Sequence, residues 1–134
     1  MRPESRHLSV YIDRPVAEVY SFASDPANLP RWAPGLGSLV VKVDDKWFVE
    51  TPEGRARVMF APDNRYGVLD HEVLTPSGAT VYVPLRAIAD GDGCEVVFTL
   101  RRTPGMTDAE FERDTALVSG DLALLKKVLE STGT

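Results

Sequence analysis

The chain has 134 residues, 43% of them hydrophobic and 26% charged, with a formal net charge of −5 at pH 7. These values fit one ordinary globular domain over residues 1–134, and the acidic balance argues against a phosphate-backbone partner, so no nucleic acid is expected. No stretch approaches the roughly 18 apolar residues of a membrane span, and the opening MRPESRHLSV has no apolar run after its positive charge; a cytoplasmic protein starting at or near Met1, with no membrane partner, is the expectation.

Residues 7–12 (HLSVYI) alternate apolar Leu8, Val10 and Ile12 with His7, Ser9 and Tyr11, the period of a half-buried strand. Asp13 then offers a capping oxygen, and Pro15 sits at a first-turn position where its missing N–H costs nothing. A short helix follows, with Val16, Val19, Tyr20 and Ala23 at helical spacing. Asp25-Pro26 ends it and starts a second short helical turn through Trp32, closed off by Pro34-Gly35 and Gly37. Beyond Gly37 come β runs at 39–44, 46–51, 54–61, 66–74, 79–89 and 93–101, separated by turn residues such as Asp44-Asp45 and Pro62-Asp63-Asn64. Loops this short join only antiparallel neighbours, because a parallel crossover takes a dozen residues or more. The sequence Asp90-Gly91-Asp92-Gly93 resembles a calcium loop superficially but lacks the closing Glu, and reads as a hairpin turn.

Thr107 and Glu110 form a capping box that opens a helix over 107–130, roughly 36 Å long at 1.5 Å per residue. Phe111, Thr115, Val118, Leu122, Leu125 and Leu129 recur along it at intervals of three and four, and Leu117, Leu124 and Val128 widen the stripe. Gly120 in its middle costs about 1 kcal/mol against Ala. It is expected either to pack closely against a bulky neighbour or to leave room for a ligand. The order β-α-α-β-β-β-β-β-β-α defines an α+β fold: a seven-stranded curved antiparallel sheet wrapped around the long C-terminal helix, the one element large enough to cover it.

Strand alternation assigns the faces. Trp47 and Val49 share one side of their strand, and Cys94, Val96, Phe98 and Leu100 share one side of theirs. In 66–74, Leu69, His71 and Val73 point inward while Asp70 and Glu72 point out to solvent, within reach of Arg55 and Arg57 on the preceding strand. The lone Cys94 allows no internal disulfide and reads as a small buried hydrophobe. Many inward positions carry Val, Ala or Cys rather than bulky side chains. A sheet closing diagonally on a helix with such residues leaves a cavity.

The opening SVYIDRPVAEVYSFASDPANLPRWAPG, the stretch VPLRAIADGDGCEVVFTLRRTPGMTDAEF and the later DLALLKKVLE together resemble the START-like, or SRPBCC, superfamily over nearly the whole chain. This is the helix-grip fold shared with birch-pollen-allergen-like proteins, and the latter two stretches resemble the final hairpin and gripping helix of bacterial members often labelled polyketide cyclase or dehydrase. The resemblance implies a pocket between sheet and long helix. It carries little about chemistry, since the superfamily includes carriers, receptors, cyclases and dehydratases.

Metal chemistry is not expected: His7 and His71 are far apart, no H-E-x-x-H is present, and no nucleotide-binding glycine loop occurs, so the reading carries neither metal nor cofactor. His71 is the best acid–base candidate, because a neutral imidazole lining an apolar pocket can both donate and accept near pH 7. Arg86, on an otherwise apolar strand, would stabilise an enolate oxygen if it faced inward, accompanied by Tyr82 on the same side; alternation leaves open which side is inner. Trp32 and Trp47 offer flat ligand surfaces; Val49, Leu69 and Phe98 from the sheet and Val118 and Leu122 from the helix complete the expected ligand contacts. The expected activity is binding of a small hydrophobic molecule, polyketide cyclase/dehydrase-like, the alternative being a non-catalytic carrier or sensor of a lipid-like or aromatic ligand. Homodimerisation stays open.

Overall fold

The computed structural model describes residues 4–34 and 39–131. Met1, Gly35 and Gly37, which figured in the reading of the start and of the corner's exit, lie outside the described residues. Strand β1 (Ser5–Ile12) pairs antiparallel with the penultimate element, with Leu8 opposite Phe98 and Ile12 opposite Cys94. Helix α1 (Val16–Ala23) follows directly on Pro15, which supplies the helix entry without a side-chain cap. Asp13 is therefore not the cap. Its backbone N–H instead donates to Glu130 Oε2 at 2.8 Å, tying the helix entry to the far end of the C-terminal helix. Asp25 caps the next turn, accepting from Ala27 N–H at 3.0 Å, and a 3-10 turn (Pro26–Asn28) leads into α2 (Leu29–Trp32), which buries Leu29 and Trp32.

Among the described residues, eight strands form two hydrogen-bonded sheets, not one sheet of seven. The first has the order β1-β8-β7 and the second β2-β3-β4-β5-β6, with β2 (Leu39–Val43), β3 (Lys46–Thr51), β4 (Gly54–Phe60), β5 (His71–Leu74), β6 (Thr80–Val83), β7 (Leu85–Asp90) and β8 (Gly93–Arg101). The departure is local and has a cause. The expected run 79–89 contains Pro84, which has no N–H to give to a ladder, so the strand breaks there into β6 in one sheet and β7 in the other. All named strand pairs are antiparallel. Asp44 and Asp45 both take positive φ, 52° and 65°, to make the two-residue β2–β3 turn, and Gly91 does so at 60° in the β7–β8 turn that joins Asp90 to Gly93.

The expected strand 66–74 also begins later, at His71. Before it, Asn64 organises the chain by itself: its Oδ1 accepts from the N–H groups of Tyr66 and Val68, and its Nδ2 donates to the carbonyls of Pro62 and Val68. This folded-over segment then runs beside β7, with Leu69 N–H on Leu85 O at 2.8 Å and Ala87 N–H on Gly67 O at 2.9 Å. Gly67 is required there, since φ is +74° and a Cβ would collide with the Ala87 carbonyl.

Helix α3 (Asp108–Ser131) opens on the expected capping box, with Thr107 N–H on Glu110 Oε1 at 2.8 Å and Glu110 N–H on Thr107 Oγ1 at 3.1 Å. It buries Phe111, Leu122, Leu125 and Leu129 and lies against β1, β8 and α2. At roughly 1.5–3 kcal/mol for each fully buried large aliphatic or aromatic side chain, this stripe is what holds the helix on the sheet. Gly120 answers neither expectation: it is exposed, and a Cβ added there would meet nothing within 4 Å. Among the described residues no helix is long and apolar enough to cross a membrane.

Candidate functional site

Where α3 leaves the sheet, it roofs a cavity of about 220 Å³. Val73 and His71 of β5, Val83 of β6 and Phe98 and Leu100 of β8 form the floor. Leu29, Trp32 and Ala33 close the α2 end, and Leu117, Val118 and Leu122 face them from α3. The lining is apolar except for His71, the Trp32 indole and two carboxylates on α3, Asp114 and Asp121. Leu117 is 47% exposed, which places the opening beside the helix.

His71 is the most buried titratable group in the lining, at 7% exposure. Its Nδ1 lies 3.0 Å from the Leu69 carbonyl oxygen. A carbonyl can only accept, so Nδ1 carries the proton and Nε2 of the neutral ring is left as an acceptor. No described residue hydrogen-bonds Nε2, and it is not among the sealed-off polar atoms, so it stays in contact with open space. Phe60 stacks on the ring with centroids 4.7 Å apart and fixes its plane. Burial pushes the His71 pKa below the ordinary histidine value, only partly opposed by the Leu69 contact and by the charge of Asp70, so the ring is held neutral. A neutral imidazole with one open lone pair in an apolar cavity can accept a hydrogen bond or take a proton.

Asp70 overturns the expectation of a solvated residue. It is 5% exposed and accepts from Arg86 Nε at 2.9 Å, Arg86 Nη2 at 2.8 Å, the Tyr82 hydroxyl at 2.6 Å and the Leu85 backbone N–H at 2.9 Å. The fork of Arg86 holds its carboxyl well below the usual carboxylate range, aided by Tyr82 and Leu85 and opposed by burial. Arg55 pairs with Glu50 at 2.6 Å instead of with these acids, and Arg57 Nε is buried with no partner among the described residues. Asp70 thus claims both Arg86 and Tyr82. Neither lines the cavity, and the triad of His71, Arg86 and Tyr82 is not gathered around one point.

Of the expected ligand contacts, Trp32, Phe98, Val118 and Leu122 line the cavity, whereas Trp47, Val49 and Leu69 do not. Val49 and Leu69 are fully packed core, and half-buried Trp47 has Lys42 Nζ 5.5 Å above its ring. The Trp32 Nε1–H is buried with no partner among the described residues. Cys94 is fully buried, and burial pushes its thiol pKa up, as suits a packed hydrophobe. Sequence reasoning missed Asp114 and Asp121. Their signal was present, because 114, 118 and 121 fall at i, i+4 and i+7 on the same stripe as Val118.

No protein-family model and no curated protein matches the sequence. Solved structures do match. DynU16, a protein of the dynemicin biosynthetic locus, is 17% identical over 96% of this chain with a TM-score of 0.69, this chain spanning only 48% of its length. CalU16 from Micromonospora echinospora is 17% identical over 95% of this chain and 74% of its own, with a TM-score of 0.68. Norcoclaurine synthase from Thalictrum flavum, in complex with dopamine and hydroxybenzaldehyde, is 13% identical over 99% of this chain and 90% of its own, with a TM-score of 0.65. With its two-helix corner, antiparallel sheets and long C-terminal helix, this chain shares the helix-grip fold of these solved structures.

Proposed function

We propose that the protein binds a compact, largely apolar aromatic molecule in the cavity beneath α3, with His71 Nε2 as its deep polar contact. The observation that carries this is the cavity itself: apolar walls with few convergent polar groups, the usual make-up of a small-molecule site. Its volume of about 220 Å³ sets the scale. An apolar protein cavity of about 150 Å³ accepts benzene, so this one suits a single substituted ring better than a folded polyketide chain. Norcoclaurine synthase, of the same fold, holds two small aromatic molecules in its complex.

The test is displacement of an environment-sensitive apolar dye, followed by native mass spectrometry of protein from its own cells. Val118→Trp, at a half-buried lining position, should fill the cavity and weaken the dye by about tenfold or more while unfolding stays cooperative, overpacking costing about 1–3 kcal/mol. Unchanged dye affinity would move the site elsewhere. Cofactor-free acid–base catalysis of the polyketide cyclase/dehydrase kind is the second reading, and the open Nε2 of His71 favours it. In that case His71→Gln should lower turnover by about 10² to 10⁴ with a much smaller change in affinity. Equal loss of binding and no turnover in the parent would leave the carrier.

A further inference from the structure

We propose that the occupant of this cavity is a neutral heteroaromatic whose polar end only donates: a small fused ring of the indole type with its ring N–H on His71 Nε2, carrying no hydroxyl, carbonyl or acid. The inference rests on the cavity reading above and adds the hydrogen-bonding character of the occupant. His71 is 7% exposed, its Nδ1 proton is committed to the Leu69 carbonyl oxygen, and its Nε2 lone pair has no partner among the described residues. Phe60, stacked on the imidazole at 4.7 Å, holds it in that setting. An occupant of the cavity therefore strips water from a buried acceptor, and the loss is made good only if it brings a donor.

The rest of the lining decides which donor. A hydroxyl gives its proton to His71 and then needs a donor for its own lone pairs. No side chain of the lining supplies one: the Trp32 Nε1–H is sealed off from the cavity space, the His71 Nδ1–H is already used, and no Lys, Arg, Ser, Thr, Asn, Gln or Tyr is among the lining residues described. Asp114 only accepts, and its charge turns away a ligand acid. Asp121 has an interaction of its own and carries no part of the argument. A ring N–H of the pyrrole type, like that of a Trp side chain, is a donor only, because its nitrogen lone pair belongs to the aromatic system. It satisfies His71 and leaves no polar atom of its own bare, while the remainder of the ring lies on Phe98 and Val118. Size agrees. The cavity of about 220 Å³ is roughly half again as large as one of about 150 Å³ that accepts benzene, which leaves room for a five-membered ring fused to the six-membered one.

Indole, benzofuran and 4-ethylphenol separate the possibilities. The first two share one shape and differ in a ring N–H against a ring oxygen, and the third offers a hydroxyl on a ring of similar bulk. Isothermal titration of the full chain at neutral pH should give indole binding at least about fivefold tighter than benzofuran, although benzofuran is the more hydrophobic, and severalfold tighter than 4-ethylphenol. His71→Leu should abolish the preference by weakening indole to the level of benzofuran or below, with benzofuran little changed; the ranking in the parent is a test by itself should that variant not fold. Equal affinity for indole and benzofuran leaves the cavity standing and removes the N–H donor. Binding of 4-ethylphenol as tight as that of indole shows that the lining tolerates a leftover lone pair and overturns the proposal, as does a preference for indole that survives His71→Leu. Failure of all three probes removes the cavity reading as well.

Discussion

Replacing Asp70 by Ala tests the joint between the two sheets. In the native structure the carboxylate takes the Leu85 N–H at 2.9 Å, the first residue after the Pro84 break, together with both arms of the Arg86 fork. Alanine leaves the Leu85 N–H buried with nothing to accept it, which costs about 1–3 kcal/mol. The ion pair adds less, because the Arg86 side chain is 50% exposed and screened, so about 0.5–1 kcal/mol is assigned to it. The total expected for Asp70→Ala is about 1.5–4 kcal/mol, and Asp70→Asn, which keeps an acceptor for Leu85 and loses the ion pair, should cost about 0.5–1 kcal/mol. Urea unfolding followed by tryptophan fluorescence measures both, and a double-mutant cycle with Arg86→Met isolates the pair. The sign with pH follows from the depressed carboxyl. Its contribution is complete above about pH 4, the usual carboxylate pKa, and is lost as pH falls toward Asp70's own lower value. A cost below about 1 kcal/mol for Asp70→Ala would show that the Leu85 N–H finds another partner and that the joint does not depend on this residue.

Gly120→Ala should raise stability by about 0.5–1 kcal/mol, since the site is helical, exposed and empty around the missing Cβ; a loss of stability in the same urea titration would refute this. His71, whose pKa burial lowers, binds its proton more readily in the unfolded chain. Stability should therefore decline as pH falls below about 6.5, the unfolded value. His71→Leu should flatten the stability profile between about pH 6.5 and 5, and an unchanged slope would assign the pH dependence to other groups.

What the sequence made legible follows from which forces are local. Period-two and helical patterns, the Thr107 capping box and the Asp90–Gly93 turn depend on neighbouring residues, and they recur in the structure near their expected limits. The break at Pro84 was also written in the chain, as a missing donor within an apparent strand, but its consequence depends on what β6 and β7 each find to pair with. Asp70 was legible only in part. Alternation correctly sets it opposite His71, yet it cannot show that the opposite side at this point is covered by the β6–β7 bend rather than by water. Gly120 and Asp13 misled for the converse reason: a residue with a familiar local role need not be used for it when the tertiary surroundings supply something else, as Glu130 does for the Asp13 N–H.

Asp70 and His71 are consecutive, and the strand turns their side chains to opposite faces, one into the joint between sheets and the other into the cavity. The backbone between them is held from both sides, since Leu69 N–H bonds to Leu85 O while Asp70 Oδ1 receives the Leu85 N–H. Leu69 O in turn fixes the His71 tautomer. The polar cluster on the outer side therefore positions the imidazole on the inner side, although Asp70, Tyr82 and Arg86 are not among the residues lining the cavity. If this coupling operates, Asp70→Asn should weaken a phenolic ligand that depends on His71 Nε2 and leave a benzene-like ligand of the same size largely unaffected. Gly120→Ala, equally remote from the floor, should change neither. Equal weakening of both ligands by Asp70→Asn would mean that the cluster shapes the cavity as a whole and does not position the histidine in particular.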